Sequence, residues 1–173
     1  MYNERKDRFE FRDIRPEEAE EAVEIEQICF PPNEACSKKH MKDRIREASE
    51  LFFVAADKET GRIAGYLNGI ATEEQVFRDE FFTDVSLHNP KGPVVMLVGL
   101  DVRPEYRGRG LAREIVSRYA KREREKGRRS LVLTCHEEKI GMYEKMGFCN
   151  QGIAASSWGG EQWYEMKLSL ADE

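Results

Sequence analysis

Between Val94 and Lys126 the chain passes from a predominantly apolar run, through a glycine- and arginine-rich stretch, into a helix-periodic segment. Val94–Val102 is too apolar for a strand with one wet face, so it reads as a central strand covered on both sides. From Leu111 the period changes. Leu111, Ile115 and Tyr119 make one row and Ala112, Val116 and Ala120 the next, the stripe of an amphipathic helix, and Gly127 ends it. A covered strand feeding directly into such a helix calls for a layered α/β domain.

The remaining segments supply the layers. Phe9–Ile14 alternates apolar and polar residues as a half-buried strand does. Pro16-Glu17-Glu18 opens a helix, because proline is tolerated in a first turn and acids suit the positive end of the helix dipole. Ala22, Ile25 and Cys29 give that helix its buried stripe, and Pro31-Pro32 stops it. Ser37 reads as the N-cap of a second helix ending near Ser49. Leu51–Ala56 and Arg62–Ala71 read as strands around a loop carrying Gly61. Thr72–Pro93 is the least regular stretch, so a short helix and a long mobile loop are expected there, with Phe77, Phe81, Phe82 and His88 on the substrate side. Ser130–Thr134 reads as another buried strand, Glu137–Met146 as a short helix, and the pieces near Phe148 and from Gln162 to Leu170 as closing strands. The order β-α-α-β-β-β-α-β-α-β-β predicts a mixed-sheet α/β fold in one domain over residues 9–170.

Charge narrows the function. The 173 residues carry a formal charge of −5, yet from Arg103 to Arg129 eleven Lys and Arg stand against four Asp and Glu. That stretch has a surplus of seven positive charges, so the rest of the chain carries twelve net negative ones. A nucleic-acid binder is more often basic throughout, whereas a small polyanion needs only a local positive element. No nucleic-acid partner is therefore expected, and the acidic remainder suits a cationic substrate. Cys29, Cys36, Cys135 and Cys149 are scattered without a C-x-x-C pair, so no metal site or disulfide framework is expected and the reading is a reduced, cytoplasmic compartment. The charged first residues and the lack of a long apolar run predict neither a signal peptide nor a membrane span.

Arg107-Gly108-Arg109-Gly110, lying between strand and helix, is anion-binding chemistry. A helix N-terminus leaves backbone N–H groups unpaired and carries partial positive charge. The two glycines let the backbone turn tightly and approach a ligand without a Cβ in the way, while the arginines add charge. Other phosphate motifs fail: there is no G-x-x-x-x-G-K-[ST], and Arg113 stands where G-x-G-x-x-G needs its third glycine.

The six residues Arg107, Gly108, Arg109, Gly110, Leu111 and Ala112 match the R/Q-x-x-G-x-G/A pyrophosphate loop of the GNAT superfamily of N-acetyltransferases. Met142–Phe148 is similar to that family's Y-x-x-x-G-F signature through Tyr143, Gly147 and Phe148. From about Phe9 to Leu170 the chain also resembles the arylalkylamine N-acetyltransferase branch, through Glu34-Ala35-Cys36-Ser37, Ser86–Pro90 and Cys135-His136-Glu137.

The resemblance implies acetyl-coenzyme A as cosubstrate, with no metal, and transfer of its acetyl group to a primary amine on a small arylalkylamine-like body. A polyamine, a protein or peptide N-terminus, and a non-catalytic acyl-coenzyme A module are the alternatives, and a homodimer is compatible with the reading. By the same resemblance, backbone groups of Leu100 and Val102 pair with the pantetheine arm, residues 107–112 hold the pyrophosphate, and the central strand splays from the Leu131 strand. Tyr143 then protonates the departing sulfur. Met96 and Val98 occupy the branch's two histidine positions, which removes that proton relay. Glu26 is the first substitute as base, followed by His88 and Glu137. His136 stands where many relatives carry an asparagine that touches coenzyme A.

Overall fold

The computed structural model describes residues 8–171. Strands β1 (Phe9–Asp13), β2 (Phe52–Asp57), β3 (Ile63–Thr72), β4 (Val94–Val102), β5 (Ser130–Cys135), β6 (Cys149–Ile153) and β7 (Tyr164–Ser169) form one sheet in the order β1-β2-β3-β4-β5-β7-β6. Neighbours run antiparallel except β4 and β5, which are parallel. The helices are α1 (Ala19–Cys29), α2 (Lys38–Glu47), α3 (Glu80–Thr83), α4 (Leu111–Glu125) and α5 (Ile140–Lys145). Element order and fold class agree with the sequence reading, and the short α3 is the expected extra helix.

Both faces of the sheet are covered, which is why β2 and β3 are buried along their whole length. On one face α4 lays Leu111, Ile115, Val116 and Tyr119 against Leu67, Val95, Leu97 and Leu131. On the other, Ala22 and Ile25 of α1 and Met41 and Ile45 of α2 pack on Phe52, Val54 and Tyr66. Each fully buried large apolar side chain contributes roughly 1.5–3 kcal/mol relative to exposure.

The stretch from Thr72 to Pro93 differs from the expected mobile loop. Phe77 and Phe81 are completely buried, 5.9 Å apart, in a third apolar cluster with Ile70, Met96 and Val98. The backbone N–H of Phe77 donates to the Glu165 carboxylate at 2.9 Å. Aromatic side chains without a clear period still carry more apolar area than a wet loop leaves exposed, so they were drawn into the core.

Two features place a cleft at one end of the sheet. Val98 is an extra residue in β4, between the positions that face Asn68 and Gly69 of β3, and makes a bulge. The parallel pairing of β4 with β5 covers only Val94–Met96 against Ser130–Val132, so beyond it the strands part. Because α4 follows β4 directly, its N-terminus lies at that same parted end. The basic stretch along α4 is largely engaged within the fold. Buried Glu123 pairs with Arg122, Lys126 and Arg128, Arg118 pairs with Glu114, and Arg124 donates to the Leu170 carbonyl. No helix of the described residues is long and apolar enough to cross a membrane.

Candidate active site

The gap between β4 and β5 is a cleft of about 520 Å³. Leu97, Gly99 and Leu100 of β4 face Leu133, Thr134 and Cys135 of β5 across it. Of the residues expected to bind cofactor, Leu100, Val102, Arg107, Gly108, Gly110, Leu111 and Ala112 line it. Arg109 is exposed and does not, since its neighbours' turn directs it to solvent.

At one end stands the start of α4. Gly108 and Gly110 take left-handed backbone angles, φ +78° and +80°, and nothing lies within 4 Å of where a Cβ on either would project. The first bond of the helical ladder is from the Glu114 N–H to the Gly110 carbonyl, 3.1 Å. The N–H groups of residues 111–113 therefore precede the ladder, a cradle suited to an anion. Arg107 folds back, its Nε donating to the Val102 carbonyl at 2.9 Å and its Nη2 reaching Cys29 Sγ at 3.4 Å. That carbonyl, expected to meet the pantetheine arm, is thus already shared with Arg107.

Tyr143 of α5 lines the cleft, its ring edge-on to Phe148 at 5.6 Å. Burial, then the neighbouring Cys135 and Asp101, push its phenol well above the ordinary value, so it is a held proton donor. Burial also raises the Cys135 thiol, to about 11, with Glu138 adding to the effect. A thiol so held is a poor nucleophile at neutral pH.

The lining also carries acidic and aromatic side chains. Glu26 is 3% exposed and lines the cleft, with Oε2 accepting the Cys36 N–H at 2.9 Å and Oε1 unpaired. Phe82 alone of the three expected phenylalanines reaches the cleft, stacked on Trp158 at 4.5 Å. Trp163 stacks on His136 at 4.1 Å, and His136 Nε2 pairs with Glu34 Oε1 at 2.8 Å. Glu34 comes from the segment after α1 and His136 from the end of β5, so their contact bridges the two sides of the gap. The two tryptophans and Asp101 escaped the sequence reading, although a lone acid in the apolar run of β4 was a legible signal.

Two expected bases lie elsewhere. His88, proposed as catalytic, is outside the cleft, where its Nδ1 accepts the Ala71 N–H at 3.1 Å and its Nε2 meets Glu50 at 2.6 Å. It pins the Thr72–Pro93 segment to β3, both ring nitrogens being engaged in doing so. Glu137 is exposed and does not line the cleft. Met96 and Val98 are buried and aliphatic, so no proton passes through them. Among the described residues no group of three or more His, Cys, Asp and Glu could hold a metal ion.

Comparison with known proteins bears on the family and the fold. Residues 14–148 match the family model described as Acetyltransferase (GNAT) family. Serotonin N-acetyltransferase of Mesocricetus auratus is 28% identical over 169 residues, 93% of this chain and 77% of that one. Among solved structures, a GNAT-like decarboxylase, GphF, in complex with isobutyryl-CoA superposes with a TM-score of 0.80 at 17% identity, over 94% of this chain and 100% of that one. The ribosomal-protein-S18-alanine N-acetyltransferase of Escherichia coli gives 0.68 at 18% identity, over 95% and 96%. These two likenesses speak to the fold alone.

Proposed function

We propose that the protein, which belongs to the acetyltransferase (GNAT) family, moves the acetyl group of acetyl-coenzyme A to the primary amine of a small, aromatic-bodied acceptor. One observation carries the reading: a single cleft is lined both by an anion-binding helix start and by carboxylates with stacked aromatic rings. The N–H groups at the start of α4 and the open backbone at Gly108 and Gly110 suit a pyrophosphate, and the unpaired edge of β4 suits an extended amide-bearing arm. Bound acetyl-coenzyme A supplies an acyl thioester to the gap between the strands.

The chain's own groups then manage protons. An acceptor amine arrives mostly as ammonium, and the free oxygen of Glu26 takes the first proton, releasing the lone pair to attack the acetyl carbonyl. The C–N bond forms, the C–S bond breaks, and Tyr143 gives its proton to the sulfur as coenzyme A departs. The second proton of the attacking nitrogen replaces the one Tyr143 gave, and Glu26 returns its own to water. Direct transfer is favoured over an acetyl-cysteine intermediate, because burial holds Cys29 and Cys135 as thiols. Phe82 and Trp158 provide a flat apolar wall that suits an aromatic body.

The test is kcat/KM for phenylethylamine and tryptamine against spermidine and short peptides with free N-termini. The aromatic amines are expected to lead. Preference for the peptides by more than about tenfold, or about 1.4 kcal/mol of transition-state discrimination, would overturn the acceptor class.

A further inference from the structure

The acetyltransferase reading leaves open how the acceptor's charged end is held, and the floor of the cleft beneath α1 carries an answer. Asp101, the lone acid of β4, is 0% exposed and sits opposite Tyr66 of β3. By hydrogen-bond geometry neither of its carboxylate oxygens is paired among the described residues, nor are Oε1 of Glu26 and Oδ1 of Asn68; Tyr66 lies beside Asp101, but its hydroxyl donates to the Ala22 carbonyl at 2.9 Å. Asp101, Glu26 and Asn68 are all at least nine-tenths buried. They converge on Gly99. A Cβ built there would stand 3.0 Å from Asn68 Nδ2, 3.2 Å from Asp101 Oδ1 and 3.7 Å from Glu26 Oε1. Gly99 and Glu26 also line the cleft, so the missing side chain leaves an approach from the cleft to a set of unpaired acceptors. Buried acceptors without donors are costly, and several at one spot call for donors brought by a ligand. A primary ammonium brings three N–H donors and the matching charge.

We propose that Glu26 and Asp101, reached past the bare Cα of Gly99, form the receptor for the acceptor's primary ammonium group, with Glu26 taking its proton and Asp101 as the positioning residue. The groups facing the pair are Cys29 from α1, Cys36 from the segment before α2, Arg44 from α2, Tyr66 from β3 and Tyr143 from α5. Arg44 is the cation among them, and one positive charge balances one carboxylate. Burial first, then the proximity of Glu26, push the Asp101 carboxyl well above the usual carboxylate range. Asp101 therefore keeps its proton and stands beside Glu26 as a neutral group. The proton leaves the ammonium nitrogen for the Glu26 carboxylate, and the freed electron pair forms the C–N bond. The approach is narrow, so a primary ammonium fits better than an N-methylated one.

The experiment compares thiol release from acetyl-coenzyme A with phenylethylamine for the parent protein, Gly99→Ala, Glu26→Gln, Asp101→Asn and Asp101→Val, across pH. Acetyl-coenzyme A affinity within about twofold of the parent, measured by calorimetry, certifies each variant as folded. Gly99→Ala is expected to raise the amine KM about tenfold or more, the size of effect a mis-shaped pocket produces. Glu26→Gln should lower kcat/KM about 100-fold at neutral pH, the loss shrinking as the pH approaches the amine's own pKa, where free amine needs no base. Asp101→Asn, which keeps a neutral donor beside Glu26, should stay within about threefold of the parent, while Asp101→Val should fall with Glu26→Gln. An active parent whose Gly99→Ala and Glu26→Gln variants keep their kcat/KM, or whose Glu26→Gln loss is the same at every pH, overturns the receptor and leaves acetyl transfer standing. A parent that binds acetyl-coenzyme A yet acetylates no amine overturns both.

Discussion

Replacing Gly110 separates the two things that residue does. It is the N-cap of α4 and sits at φ +80°, where an L-residue is strained. Because nothing lies within 4 Å of a Cβ there, Gly110→Ala meets no clash and reports strain alone. That strain is about 1–2 kcal/mol, or a fall in Tm of roughly 2–8 °C for a chain of this size. Gly110→Asp adds a carboxylate at a helix N-terminus, where an acid caps the free N–H groups and suits the dipole, and Asp tolerates the left-handed region better than Ala. Its stability should therefore match or exceed that of Gly110→Ala. Binding should move the other way. A carboxylate about 4 Å from one pyrophosphate charge is repelled by about 4 kcal/mol at an effective dielectric of 20, so screening still leaves a loss of about 10²–10³-fold. Thermal unfolding and calorimetric titration with acetyl-coenzyme A read the two effects on one sample. A folded Gly110→Asp protein that binds acetyl-coenzyme A within about threefold of the parent would refute the pyrophosphate site.

Two further changes probe other parts of the molecule. Trp158→Ala removes the stack on Phe82, worth about 0.5–1.5 kcal/mol, and should raise KM for tryptamine by about 3- to 10-fold while leaving spermidine unchanged; an equal rise for both amines would contradict an aromatic wall. Asp57 tests the fold itself. Burial alone would raise its carboxyl, but hydrogen bonds from Arg8, Tyr106 and the Glu59 N–H outweigh burial and hold it down at about 2. Its folded value lies below its unfolded one, so its stabilisation is present above about pH 4 and is lost as the pH falls towards 2. The Tm gap between the parent and Asp57→Asn should close over that window, and a gap independent of pH would contradict the assignment.

What the sequence made legible was local. The apolar run of β4, the glycine–arginine turn and the stripe of α4 are contiguous, so their chemistry survives without knowledge of the rest of the chain. The splay of β4 from β5 was expected from family resemblance, but its origin was not visible: it depends on a bulge at Val98 and on where a parallel ladder stops. His88 shows the limit most clearly. Its residue type suited a base, yet the Ala71 N–H and Glu50, distant in sequence, engage both ring nitrogens. Phe77, Phe81 and Phe82 looked alike in the sequence, and packing divided them between core and cleft. Trp158 and Trp163 were hidden for a related reason, because the loop that carries them reaches Glu34 and His136 only once the chain has closed.

Tyr143→Phe under saturating acetyl-coenzyme A tests the central claim most directly. Thiol release upon adding phenylethylamine, with the N-acetyl product identified by mass, gives kcat, and calorimetry gives the cofactor Kd. The expected result is amine-dependent turnover in the parent and a kcat about 10- to 1,000-fold lower in the variant with Kd unchanged, because the phenol acts on the departing sulfur and water substitutes only in part. A Tyr143→Phe protein with parental kcat, or a parent that binds acetyl-coenzyme A and releases no thiol with any amine, would contradict it.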